Sequence, residues 1–182
     1  MEETRKQLER DETLRGKLVH LCFACDPYPT GYDTSATREI IQLLKEYGNH
    51  VQILTKGDGT QDFDLLDEND WYGVTYTGST CGEEPNALGR TARMYSIAYA
   101  KSKGIKTWVS FEPVINADSV LAKIAAHSCL FDKVKIGKLN YYPSNINWPD
   151  FGRNVEALCK EFGLDYYIKD GLRAEMEKSV GA

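Results

Sequence analysis

Asp26, Lys56, Thr77 and Glu112 each close a run of apolar, β-branched or aromatic residues. A carboxylate there can accept hydrogen bonds from an amine or a ribose hydroxyl, and an ammonium can hold a carboxylate. Together the set suits a zwitterionic or nucleoside-like ligand. Burying a charge alone is costly, so these side chains should pair with one another or with a ligand. The plain alternative is four solvated residues at loop starts. Two of the acids stand in Asp26-Pro27-Tyr28-Pro29 and Glu112-Pro113, where proline turns the chain out of the sheet directly after the carboxylate.

Other chemistry is less well supported. Cys22 and Cys25 form a CxxC, but positions i and i+3 of a strand point to opposite faces, which opposes chelation. Cys81, Cys129 and Cys159 are scattered. His50 stands at the start of a strand, His20 within one and His127 in a helix, so no histidine reaches the position a Ser-His-Asp arrangement needs. The turns at 56–60 and 78–82 are glycine-rich and could cradle an anion through backbone N–H groups. Neither has the spacing of a dinucleotide or P-loop motif.

The elements that position these residues follow from periodicity. Runs at 17–25, 50–56, 71–77, 106–114, 133–139 and 165–169 predict strands, and apolar stripes in 34–47, 86–103, 117–128 and 150–162 predict helices. Gly48, Gly104 and Gly163 each follow a stripe, where a left-handed residue closes a helix. Strand, helix, glycine, strand is the rhythm of parallel βα units. Strand parity sets Val51, Ile53, Tyr72, Val74, Val109 and Phe111 on an apolar face. The opposite face is small or polar and ends in the four rim residues. That asymmetry predicts an α/β fold of the partial (βα) TIM-like barrel class, with Asp26, Lys56, Thr77 and Glu112 around a common mouth. One domain is expected over 1–182, with a leader helix in 1–16 and the barrel in 17–182. A helix ahead of the first strand suggests that the barrel lacks its first strand, with a solvated leader helix as the plain alternative.

With 42% hydrophobic and 27% charged residues, the 182-residue chain is of globular composition. Its 22 basic and 27 acidic residues give a net charge of −5 and offer no basic face for nucleic acid. No apolar run approaches the roughly 20 residues of a membrane span. Five cysteines without an export signal predict reduced thiols and a cytoplasmic location.

The run Cys25-Asp26-Pro27-Tyr28-Pro29, Thr37-Arg38 and Ile53-Leu54-Thr55-Lys56 resembles the radical S-adenosylmethionine superfamily, closest to the group related to spore photoproduct lyase. The resemblance continues through Asp62-Phe63-Asp64-Leu65-Leu66, Glu84-Pro85-Asn86-Ala87, Arg93, Gly104 to Val114, Lys135 to Tyr141 and Tyr166-Tyr167-Ile168-Lys169. It implies a partial barrel that binds S-adenosylmethionine at its strand ends and, with a [4Fe–4S] cluster, cleaves it to a 5′-deoxyadenosyl radical. By resemblance Lys56 lies near the methionine carboxylate, Cys25 and Asp26 near the amino group, Thr77 near the ribose, and Glu112 at a Glu-Pro strand end. The family's CxxxCxxC loop, whose three thiolates hold the cluster, is not in this sequence. The resemblance therefore implies an incomplete enzyme that receives the cluster loop from another segment or chain, or is inactive alone. Cys22 or Cys25 would be the candidate hydrogen-atom donor. The alternative is a non-catalytic binding or scaffold domain whose open barrel edge pairs with another chain or with itself.

Overall fold

The computed structural model describes residues 2–21, 24–79 and 82–178, and strands and α-helices alternate along it except at one step, where the 3-10 helix Thr60–Leu65 stands between two strands. The order is α1 (Glu2–Arg10), β1 (Leu18–His20), α2 (Ser35–Glu46), β2 (His50–Thr55), β3 (Trp71–Thr75), α3 (Arg90–Ser102), β4 (Lys106–Val114), α4 (Ala117–His127), β5 (Lys133–Lys138), α5 (Trp148–Glu161), β6 (Asp165–Ile168) and α6 (Asp170–Lys178). The sheet order is the chain order, β1 to β6. The pairs β1–β2, β2–β3, β4–β5 and β5–β6 are parallel. A parallel sheet in sequential order, with helical crossovers, is the topology of a partial (βα) barrel. None of the described helices is long and apolar enough to cross a membrane.

The chain divides into two compact units, Met1–Val74 with Asn86–Lys106, and Thr75–Pro85 with Thr107–Ala182. In the first, Ile41, Val51, Ile53, Tyr72, Val74 and Ile97 are fully buried. Phe63 meets Tyr72 edge to face at 4.7 Å. The amino ends of β2 and β3 are tied by the buried Asp70. Its Oδ1 accepts from Val51 N at 2.8 Å and its Oδ2 from Asp67 N at 2.8 Å. Lys45 pairs with Asp70 and, at 2.6 Å, with Asp67.

In the second unit Val109, Phe111, Val134, Ile136, Val155 and Leu172 are fully buried. Thr107 N donates to Asp132 Oδ2 at 2.8 Å and Asp132 N to Thr107 O at 2.9 Å, fixing β4 to the start of β5. Asn147 caps α5 by accepting from Asp150 N, with Pro149 in the first turn. Gly152 on α5 lies against α6: a Cβ there would stand 2.4 Å from Met176 Cγ.

Helix ends follow the glycine reading, with φ of +73° at Gly48, +80° at Gly104 and +63° at Gly163. The first strand is shorter than its apolar run predicts and stops at His20. Asp26-Pro27-Tyr28-Pro29 is a loop, because two prolines cannot donate to a ladder. Sequence reading did not anticipate α6. Val51, Ile53, Val74, Val109 and Phe111 are buried as parity requires, but β3 and β4 are buried on both faces through Gly73, Thr75, Trp108 and Ser110.

Candidate functional site

In the first unit the loop after β1 folds onto the carboxyl end of β2. Asp26 Oδ1 accepts from Tyr28 N at 2.9 Å and from the Thr55 hydroxyl, and Oδ2 accepts from Lys56 N at 2.7 Å. One carboxylate thus closes its own loop and fixes the last residue of β2 and the one after it. Tyr28 is almost wholly buried, and its hydroxyl donates to Asp62 Oδ2 at 3.0 Å. Burial, and then the Asp62 charge, push the Tyr28 phenol far above its ordinary value. Arg38 donates to Asp62 Oδ1 at 2.8 Å and pairs with Asp64 at 2.5 Å, so hydrogen bonds to Asp64 and Asp62 raise its guanidinium.

The turn at 56–60 is packed rather than open. Lys56 N reaches Asp26, Gly57 N reaches Thr55 Oγ1 at 2.7 Å, Gly59 N reaches the Tyr72 hydroxyl at 3.4 Å and Thr60 N reaches Asp58 Oδ1 at 3.0 Å. Donors already spent on protein acceptors do not form an anion cradle. The glycines have a steric reason instead. A Cβ on Gly57 would lie 1.6 Å from Tyr28 O, and one on Gly59 would lie 2.8 Å from the Tyr28 ring. Lys56 is half-buried, and its carbonyl accepts from Leu88 N at 2.8 Å.

In the second unit Thr77 stands two residues past β3, and its carbonyl accepts from Ile115 N, the residue after β4, at 2.8 Å. Its hydroxyl lies 2.6 Å from Ser79 Oγ and 3.0 Å from Glu84 Oε2, and Ser79 Oγ donates to the same Glu84 oxygen at 2.7 Å. Thr77 and Ser79 are each 1% exposed. Gly78 takes φ +77°, and a Cβ there would stand 2.5 Å from Asn116 O. Two hydroxyls on one carboxylate oxygen form a set that vicinal ribose hydroxyls could join. Ser79 and Glu84 were missed as site residues in sequence reading, although a Thr-x-Ser pair followed by an acid is a usable signal.

Glu112 lies across the carboxyl ends of β4, β5 and β6. Its Oε1 is 2.5 Å from Lys169 Nζ and its Oε2 is 3.9 Å from Lys135 Nζ. The carboxyl group rests over Gly137, 2.8 Å from where a Cβ would be. The register explains the placement. Phe111 pairs with Ile136 but Val114 with Lys138, so β4 carries one extra residue across Glu112 and Pro113. Such a bulge re-aims a strand-end side chain.

The described cysteines do not fit an iron–sulfur cluster. Cys25 and Cys129 are exposed, while Cys159 is buried in α5 with its thiol pushed up to about 11 by burial. Cys22 and Cys81, with Thr80, lie outside the described residues. Among the described residues one group has metal-ligand geometry, His50, Asp67 and Asp70, at the amino end of β2. The Lys45 ammonium already contacts both of its acids. His50 thus belongs to the scaffold end of the strand, as its position predicted. Comparison with protein-family models and with curated proteins finds no match for the chain.

Proposed function

We propose that the chain is the carboxyl-terminal part of a radical S-adenosylmethionine-type enzyme that binds the cofactor through strand-end residues and takes its cluster from cysteines outside these 182 residues. The six parallel strands in chain order support the reading, since Ile53-Leu54-Thr55-Lys56, Glu112-Pro113 and Ile168-Lys169 among the quoted motifs fall at carboxyl ends of β2, β4 and β6. In the first unit Lys56 holds the methionine carboxylate. Asp26 acts as a positioning residue, because its carboxylate is spent on Thr55, Tyr28 N and Lys56 N, and Cys25 stands exposed beside it. Thr77, matched to the ribose by the same resemblance, belongs to the second unit, where Ser79 and Glu84 hold its hydroxyl. Glu112 is left out of the cofactor set, since Lys169 and Lys135 already engage it. No chemical step is assigned to the cluster, because the described thiols do not form its site.

Titration with S-adenosylmethionine, followed by amide NMR, tests the reading. Shifts at Lys56 and Thr77, and weaker binding by Lys56→Ala, are expected. No saturable shift at millimolar cofactor overturns it. The second reading, a scaffold domain, draws on β1, a three-residue strand at the sheet edge with Leu18 49% exposed. A concentration-dependent oligomer without nucleoside affinity would establish it instead.

A further inference from the structure

Three lysines line β5, and their partners differ in one respect. Lys133 faces Asp165 at 2.9 Å and Lys138 faces Glu175 at 2.5 Å. Lys135 has only Glu112, at 3.9 Å, among the described acids, and Glu112 is already in contact with Lys169 at 2.5 Å. One carboxylate therefore serves two ammonium groups, leaving one net positive charge. Lys135, Lys169 and Glu112 share a face. Ser110 pairs in register with Lys135, and Lys135 with Tyr167. The neighbouring residues Phe111, Ile136 and Ile168 are buried on the opposite face. Lys135 and Lys169 remain 35% and 39% exposed at the side chain, open to a ligand, and Tyr167, 46% exposed, borders them.

We infer that Lys135, Lys169 and Glu112 form a binding site for a singly charged oxyanion of a small molecule, either a carboxylate or a phosphodiester. The charge count sets the preference. A monoanion brings two ammonium groups and one carboxylate to neutrality, whereas a dianion leaves a negative excess beside Glu112. Glu112 holds Lys169 in place and at the same time lowers the charge that an incoming anion meets. Neither S-adenosylmethionine nor a cluster is required, so the site stands or falls apart from the proposed function.

Amide NMR of the whole chain, titrated in turn with acetate, dimethyl phosphate and inorganic phosphate at low salt, tests this. Saturable shifts are expected at Gly137, Lys135 and Lys169, stronger for one of the two monoanions than for inorganic phosphate, and that monoanion identifies the source. Lys135→Met and Lys169→Met should each weaken binding about fivefold, as for a lost charge-assisted hydrogen bond in partial contact with water. Lys133→Met should not weaken it. Glu112→Gln gives the opposite sign: binding tightens, and inorganic phosphate gains most. Shifts away from these amides, no response to either lysine variant, or weaker anion binding in a folded Glu112→Gln protein would overturn the inference.

Discussion

Removing the Asp26 carboxylate should destabilise the first unit more than any other half-buried acid in it. Asp26→Ala strands three donors at once: Tyr28 N, Lys56 N and the Thr55 hydroxyl. A buried donor left unsatisfied costs about 1–3 kcal/mol, and bonds to an ionised acceptor lie at the strong end. Asp26 itself is half-buried, so water re-enters and recovers part of that, leaving a loss of about 3 kcal/mol. Asp26→Asn should cost about 2 kcal/mol. Its oxygen can serve Tyr28 N and Thr55, but its amide then faces the Lys56 N–H donor to donor. With a urea slope of about 2 kcal/mol/M, the midpoints should fall by about 1.5 M and 1 M. Thr55→Val supplies the control, because it removes one of the same bonds. The double variant Asp26→Ala, Thr55→Val should lose less than the sum of the single losses. Urea titration monitored by far-UV circular dichroism measures all four proteins. A midpoint drop below about 0.5 M for Asp26→Ala, or strict additivity, would refute the carboxylate's role as the clasp between β1 and β2.

Gly57→Ala should cost more than about 4 kcal/mol and leave the first unit unfolded in dilute urea, since the new methyl would meet Tyr28 O at 1.6 Å. Thiol labelling at pH 8, mapped by mass spectrometry, should modify Cys25 and Cys129 quickly and Cys159 only on unfolding, because Cys159 is buried and its thiol is pushed up to about 11. Glu175 is held below its ordinary 4.5 by Lys138 and then Lys178. Its contribution is present above pH 4.5 and is lost as the pH falls through its lower folded value. The melting-temperature gap between wild type and Glu175→Gln should therefore be open at neutral pH and shrink on acidification. A gap unchanged down to pH 2 contradicts this.

Periodicity made the strands and helices legible because it reports burial directly: Val51 and Ile53 are buried where Gln52 and Leu54 are not. The glycine ends of α2, α3 and α5 were legible for the same local reason. The partners of the strand-end charges were not. Asp26 meets Thr55 and Lys56 about 30 positions later, and Glu112 meets Lys169 57 positions away. No local pattern encodes such pairs. Lys133 and Lys135 alternate with Val134 and Ile136, which could have flagged a charged sheet face, but only the register shows that Glu112 is shared. Burial of β3 on both faces was hidden by its small residues, since Gly73 and Thr75 read as equally at home in solvent.

Gly152 gives the last helix an unusual dependency. Because α5 has no side chain at that point, Met176 settles into the notch, and Leu172 is sealed a turn away. A shortened protein ending near Lys169 would leave an oily furrow along α5 open to water, a ready seed for clumping. Expression trials that trim the carboxyl terminus should therefore stop after Lys178, and affinity tags belong beyond it, where they cannot prise the two helices apart.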